Sequence, residues 1–388
     1  MLRFPEFIKE GDWVEDTLDN LADFRRGSFP QPYGLPKWYD EINGMPFIQV
    51  YDVGEDFKLK PQTKNKISKL AAEQSVFISK GTVIITIQGS IGRVAITQYD
   101  AYIDRTLLLF EEFHQEIDKT FFAYVLYLLF EIEKQKAPGG IIKTITKEVL
   151  SQFTVKLPKP KEQQKIASCL SSLDEVITSE SQKLEVLKDH KKGLLQNLLP
   201  QAGETVPKFR FKEFENSGKW EEKSFEELFE IGNGRDYKHL ESGNIPVYGS
   251  GGYMLSVNEF LYDGESVCIG RKGTIDKPMF LNGKFWTVDT LFYTHSFKEC
   301  LPKYIFYVFQ YINWRNHNEA GGVPSLSKTN IYKIKIHIPK PKEQEKIADT
   351  LSSIDDLMNA QNQKIEALQF HKKGLLQGLF PNINEVTA

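Results

Sequence analysis

Two long stretches of this chain are copies of one another, and the duplication limits the possible folds more than any other feature. "PKPKEQQKIASCLSSLDEVI" begins at Pro158 and "PKPKEQEKIADTLSSIDDLM" at Pro339; the match runs without a gap over 158–200 and 339–381, with 26 of 43 positions identical. A second repeat has a different offset. "LRFPEF" from Leu2, with Trp13 behind it, answers "FRFKEF" from Phe209, with Trp220 behind it. A third is weaker: the aromatic runs "FFAYVLYLLFEIEKQKAPGG" and "YIFYVFQYINWRNHNEAGG" each precede a short strand that ends in Pro-Lys-Pro. The chain is two halves of one plan, 1–200 and 201–388, and the segments between the copies have diverged.

The copied segments have the period of a coiled-coil seam. Ile166, Leu170, Leu173, Ile177, Leu184, Leu187, Leu194 and Leu198 alternate by fours and threes, interrupted at Glu180 and Lys191. Ile347, Leu351, Ile354, Met358, Ile365, Leu368, Leu375 and Leu379 repeat the pattern, interrupted at Gln361 and Lys372. Alone, such a helix leaves an apolar stripe in water, so each copy is the natural mate of the other. Because the Trp220 segment follows the first helix, the Trp13 segment should sit equivalently after the second, which brings the chain ends together. That cyclic plan predicts antiparallel helices about a pseudo-twofold axis. "KGTVIITIQGSIGRVAIT" from Lys80 and "GESVCIGRKGTIDKPMFL" from Gly264 read as β-branched strands joined by glycine turns, and the aromatic runs read as short buried helices. The expected fold class is therefore α+β: two α+β domains separated by an antiparallel pair of long coiled-coil helices. The expected boundaries are 1–157 for the first domain, 158–200 for the central helix, 201–338 for the second domain and 339–388 for the last helix and tail.

Charge and motifs exclude several classes of function. Residues 1–157 carry 19 basic and 22 acidic side chains, and 201–338 carry 17 of each, so neither half has the basic excess of a lone nucleic-acid binder. The longest apolar run, "FFAYVLYLLF", is too short to span a bilayer, and a cytoplasmic protein is expected. Cys169, Cys268 and Cys300 have no metal-binding spacing and read as inert thiols. There is no P-loop, GxSxG elbow or HExxH, and no Asn/Asp-Pro-Pro-aromatic motif of the amino-methyltransferases. His190 and His371 lie beside Lys-Lys on the helices and read as solvated. A non-catalytic chain is expected.

The duplicated "PKPKEQ.KIA..LSS.D" with "HKKGLLQ.L.P", the "RF.EF...G.W" openings, "ITIQGSIGRVAI" and "IPVYGSGGYM...IGRKGT...WTVDTLFY" closely resemble the specificity subunit of type I restriction-modification enzymes over essentially the whole chain. The resemblance implies two target recognition domains, each reading one half of a split, asymmetric site in double-stranded DNA. It implies two modification subunits that bring S-adenosylmethionine and methylate adenine, and restriction subunits that bring an ATP-driven translocase and nuclease with Mg. No cofactor is expected in this chain. A structural adaptor with protein-binding end domains is the alternative reading.

Residue types that read base edges or hold phosphates cluster in the divergent segments. In the first domain they are Arg25, Arg26, Gln31, Tyr33 and Lys37, then Gln88, Ser90 and Arg93, then Lys143 and Thr144 in a Gly-Gly loop. In the second they are Arg235, Lys238 and His239, then Tyr248 and Ser250, then Arg271 and Lys272, with Ser325 and Lys328 by the other Gly-Gly loop. Leu195 and Leu199, matched by Leu376 and Phe380, form a second short stripe on the helices. That stripe is expected to dock a modification subunit, with packing onto the chain's own domains as the alternative.

Overall fold

The computed structural model describes residues 2–136, 145–201 and 203–381. The chain forms two compact units that do not follow chain order. One takes Met1–Glu180 with Ile365–Ala388, and the other takes Ser181–Lys364.

The first unit holds β1 (Val14–Thr17), β2 (Ala22–Arg26), β3 (Met45–Ile48), β4 (Asn65–Ile67), β5 (Val76–Ile78), β6 (Val83–Thr86), β7 (Val94–Ile96), β8 (Ala101–Ile103), β9 (Leu107–Phe113) and β10 (Thr154–Leu157). Its helices are α1 (Leu18–Leu21), α2 (Lys69–Ala72), α3 (Lys119–Lys136), α4 (Lys147–Ser151) and the first part of α5 (Pro160–Leu198). The second unit holds β11 (Glu221–Ser224), β12 (Glu230–Asn233), β13 (Ser242–Gly249), β14 (Gly252–Val257), β15 (Tyr262–Asp263), β16 (Ser266–Gly270), β17 (Met279–Leu281), β18 (Lys284–Thr287), β19 (Leu291–His295) and β20 (Lys335–Ile338). It adds α6 (Phe225–Leu228), α7 (Pro302–Tyr311), α8 (Lys328–Tyr332) and part of α9 (Pro341–Leu379).

Strand for strand the two topologies are the same. The sheets run β2-β9-β6-β7 and β4-β3-β8-β5 in one domain, and β12-β19-β16-β17 and β14-β13-β18-β15 in the other, with β1-β10 and β11-β20 as two-stranded ladders. Even the parallel pairings correspond, β3 with β8 and β13 with β18. A strand covered on both faces stands at the same place in each domain: all four residues of β6 and all five of β16 are buried, β6 being β-branched throughout and β16 carrying Val267 and Ile269. Backbone approach is repeated as well. A Cβ on Gly27 would lie 2.4 Å from the carbonyl oxygens of Ile103 and Asp104, and one on Gly234 would lie 1.9 Å from that of Val288.

The α+β reading of the sequence holds, and the residues identical in both copies explain it. All sixteen seam positions are buried or half-buried. In the first unit Ile166, Leu170, Leu376 and Leu379 share one core, and Lys372 Nζ lies 2.5 Å from Asp174 Oδ1, so α5 and α9 run antiparallel there. In the second unit Leu198 and Leu199 share a core with Ile347 and Leu351, and Lys191 Nζ lies 2.6 Å from Asp355 Oδ1. The lysines that interrupt the seam are thus placed. Each also faces a tyrosine that donates to the same aspartate: Tyr124 to Asp174 at 2.6 Å and Tyr307 to Asp355 at 2.9 Å.

The Pro-Lys-Glu-Gln start of each long helix is a junction. Arg3 grips Glu162 through Nε and Nη2 at 2.8 and 2.7 Å, and Arg210 grips Glu343 at 2.7 and 2.8 Å. The next residue joins the aromatic helices: Asp118 N donates to Gln163 Oε1 before α3, and Leu301 N donates to Gln344 Oε1 at the N-cap of α7. Leu2 N donates to Gly378 O at 2.5 Å as Phe209 N does to Asn197 O at 2.8 Å, which brings the two ends of the described chain together as the repeat order requires.

The second helix stripe faces inward. Leu199 belongs to the second domain's core with Leu195 packed against it, while Leu376 and Phe380 belong to the first domain's core, where Phe380 stacks on Phe121 at 5.3 Å. Leu199, Leu376 and Phe380 are buried and Leu195 half-buried against the chain's own domains. His190 and His371 are exposed. Burial pushes the Cys268 and Cys300 thiols up to about 12, as expected of inert thiols. Among the described residues no helix is long and apolar enough to cross a membrane.

Candidate nucleic-acid interface

In the second domain the sequence candidates converge on one junction. The turn after β16 sets Arg271 N and Lys272 N on Thr290 O, Lys272 forms a β-bridge with Ser325, and Gly273 N donates to Pro324 O at 2.8 Å. Ser250, at the tip of the β13–β14 hairpin, comes within 3.2 Å of where a Cβ on Gly273 would stand. Arg271 and Lys272 are exposed and Ser250 and Ser325 half-buried, so three loops present polar groups side by side. Lys328 is committed differently: its Nζ donates to Ile231 O at 2.6 Å, and burial, with Arg271 nearby, pushes its pKa down. A second group lies over β18. Arg235 N donates to Thr287 O, Trp286 Nε1 donates to Arg235 O, and His239 meets the Trp286 ring edge at 5.9 Å. Arg235, Lys238 and His239 are exposed, while Tyr248 is half-buried against Tyr253.

The first domain builds the same junction from other side chains. Gly89, at φ +73°, turns the chain between β6 and β7, and a Cβ there would touch Val50 at 3.4 Å, as Gly273 meets Ser250. Ser90 is exposed, Gln88 half-buried, and Arg93 reaches across to Glu55 at 3.1 Å. Arg25 pairs with Glu111 at 2.7 Å on the β2–β9 ladder, and Arg26 is exposed beside it. Gln31 is exposed, and Lys37 lies over the Trp38 ring at 4.2 Å. Tyr33 is turned inward: its hydroxyl donates to the buried Asp104, Arg105 lies over its ring at 5.0 Å, and burial, then Asp104, raises its pKa. Lys143 and Thr144 lie outside the described residues.

A polar cluster beside the first junction escaped the sequence reading. Gln49 Oε1 accepts from Tyr51 Oη and, at 2.8 Å, from Asn65 Nδ2, which also donates to Tyr51 Oη at 2.8 Å. Buried Asp52 holds the loop by accepting from Gln49 N and Lys64 N, both at 2.9 Å. Burial is the main cause that pushes Tyr51 up to about 12, with the Asp52 charge second, and Lys64 lies over its ring at 4.9 Å. The available signal was the alternation of amide, tyrosine and lysine around β3 and β4, which has no fixed spacing.

Among the described residues no group of three or more His, Cys, Asp or Glu is placed to hold a metal ion. The junctions can contact anions and hydrogen-bonding edges.

Comparison with known proteins gives this arrangement its context. The chain is 28% identical over 288 residues to the putative type I restriction enzyme MjaX specificity subunit of Methanocaldococcus jannaschii, covering 65% of this chain and 66% of that one. It is 21% identical over 371 residues to the type I restriction enzyme EcoprrI specificity subunit of Escherichia coli, covering 90% and 89%. The fold matches the crystal structure of the type I restriction-modification S subunit from M. genitalium with a TM-score of 0.63 at 17% identity, over 96% of this chain and 97% of that one. The family model for the type I restriction modification DNA specificity domain matches residues 10–189 and 217–367, once on each half, and the chain belongs to this family as a non-catalytic DNA specificity subunit.

Proposed function

We propose that this subunit reads a split DNA site, one half-site by each domain, and that the halves differ because the junction loops differ. The observation that carries this is one shared position with two chemistries. Val50 faces Gly89 beside Gln49, Tyr51 and Asn65 in the first domain, whereas Ser250 faces Gly273 beside Arg271, Lys272 and Ser325 in the second. A common frame with unlike polar groups is what two unlike half-sites require. The near-neutral charge fits a chain whose partners share the phosphate contacts. In this reading two modification subunits methylate adenine with S-adenosylmethionine, and restriction subunits use ATP and Mg for translocation and cleavage. This chain contributes recognition alone.

The test is an exchange. Residues 225–325 are replaced by the matching region of another such subunit, and methylated sites are mapped in cells that carry the modification subunit. One half of the site should change while the other stays. A change in both halves would exclude independent reading.

A further inference from the structure

We propose that Gln49 and Asn65 read one adenine of the half-site taken by the first domain, with Gln49 Nε2 donating to adenine N7 and Asn65 Oδ1 accepting from the N6 amino group. This rests on the reading of the domains as half-site readers. The argument begins with hydrogen-bond capacity. A Gln or Asn side chain offers one amide oxygen and one NH₂ group. Here Gln49 Oε1 is occupied by Tyr51 and Asn65, and Asn65 Nδ2 by Gln49 and Tyr51. Turning one amide alone would set like groups against each other, whereas turning both keeps every contact and only exchanges the two residues' roles, so either way one donor and one acceptor are left over. As the side chains stand, the donor is Gln49 Nε2 and the acceptor Asn65 Oδ1.

That pair selects a base. In the major groove guanine shows two acceptors, N7 and O6, whereas adenine shows the N7 acceptor beside the N6 donor. A neighbouring donor and acceptor therefore match adenine and leave one group unpaired on guanine. The cluster is also built to keep its shape: Asp52, fully buried, bonds both ends of the loop through Gln49 N and Lys64 N, and the half-buried Tyr51 closes the amide network from below the Lys64 ammonium. A reader held by its own contacts loses little freedom on binding. Its place beside Val50 and Gly89 is the position at which the second domain presents Ser250 and Lys272.

The experiment uses the subunit assembled with its modification subunits, on duplexes carrying the mapped site. The half left unchanged by the exchange of 225–325 belongs to the first domain. Each adenine in it is replaced singly by 7-deazaadenine, which lacks N7. One replacement should weaken binding roughly 5- to 100-fold, and Gln49→Met should abolish that sensitivity while leaving the second half-site as selective as before. If Gln49→Met does not assemble, Asn65→Leu tested against an adenine lacking its amino group makes the same comparison. A first half-site without adenine, no response to any replacement, or a response of the same size in the variant would overturn the inference. An assembled complex with no sequence preference would instead overturn the reading beneath it, and this inference with it.

Discussion

Arg210 and Glu343 meet in a two-pronged ion pair at 2.7 and 2.8 Å, with Glu343 almost fully buried and Trp220 Nε1 a further 3.3 Å donor to it. Removing the arginine strands a buried carboxylate, which costs about 3–5 kcal/mol. Arg210→Met should lower the stability of the second unit by roughly that amount, whereas breaking an exposed pair such as Lys335 with Glu222 should change it far less. Urea unfolding followed by tryptophan fluorescence gives both values, and equal small effects would show that the pair is not what fixes the junction.

The tyrosines that face the long helices make stability fall at alkaline pH. Burial, and then the Asp174 carboxylate, raise the Tyr124 pKa; burial and Asp355 raise that of Tyr307. A group whose pKa is higher in the folded chain keeps its proton there after the unfolded chain has lost it. Its contribution is therefore complete below about pH 10, the unfolded value, and declines above it by up to ~1.4 kcal/mol per pH unit for each tyrosine. Urea midpoints from pH 9 to 11 should fall, and should fall less steeply in the Tyr124→Phe and Tyr307→Phe variants. An unchanged slope in both variants would assign the decline to other groups.

Tyr304 carries a hydroxyl that its surroundings do not use. It is fully buried, has no hydrogen-bond partner among the described residues, and stands three residues before Tyr307, where the first domain has Phe121 three before Tyr124. An unmatched buried hydroxyl is destabilising, so Tyr304→Phe should leave stability unchanged or raise it by about 1 kcal/mol. A loss of more than about 1 kcal/mol in thermal or urea unfolding would mean that the hydroxyl has a partner in solution, such as water in the neighbouring cavity of about 670 Å³.

The repeats make the frame of this protein legible in the sequence and leave its candidate contacts less so. A 4,3 pattern of leucine and isoleucine is local, so the seam was visible without knowing what it meets. The polar residues identical in both copies were less transparent, since Arg3 and Glu162 lie 159 positions apart and Arg210 and Glu343 lie 133 apart. Identity at Glu162, Gln163, Asp174 and Lys191 on a long helix was itself the clue, because a merely solvated charge has no reason to recur. Among the candidate contacts, residue type alone could not separate the exposed Arg271 from Tyr33, whose hydroxyl is turned onto Asp104, or from Lys328, whose ammonium is held by a backbone carbonyl. Gln49, Tyr51 and Asn65 were passed over because their grouping is made by pairing β3 with β4 across a loop, and spacing along the chain carries no trace of it.

The division of each long helix between the two units has a consequence for synthesis. The first domain is translated early, yet its core includes Leu376, Leu379 and Phe380, and its Tyr124 and Asp174 await Lys372. The second unit, Ser181–Lys364, is complete before any of those residues leaves the ribosome. Domains commonly fold in the order they emerge. Here the part made first is the last to be finished, and until then it displays at Trp13 and Phe121 the apolar seat that Phe380 will fill.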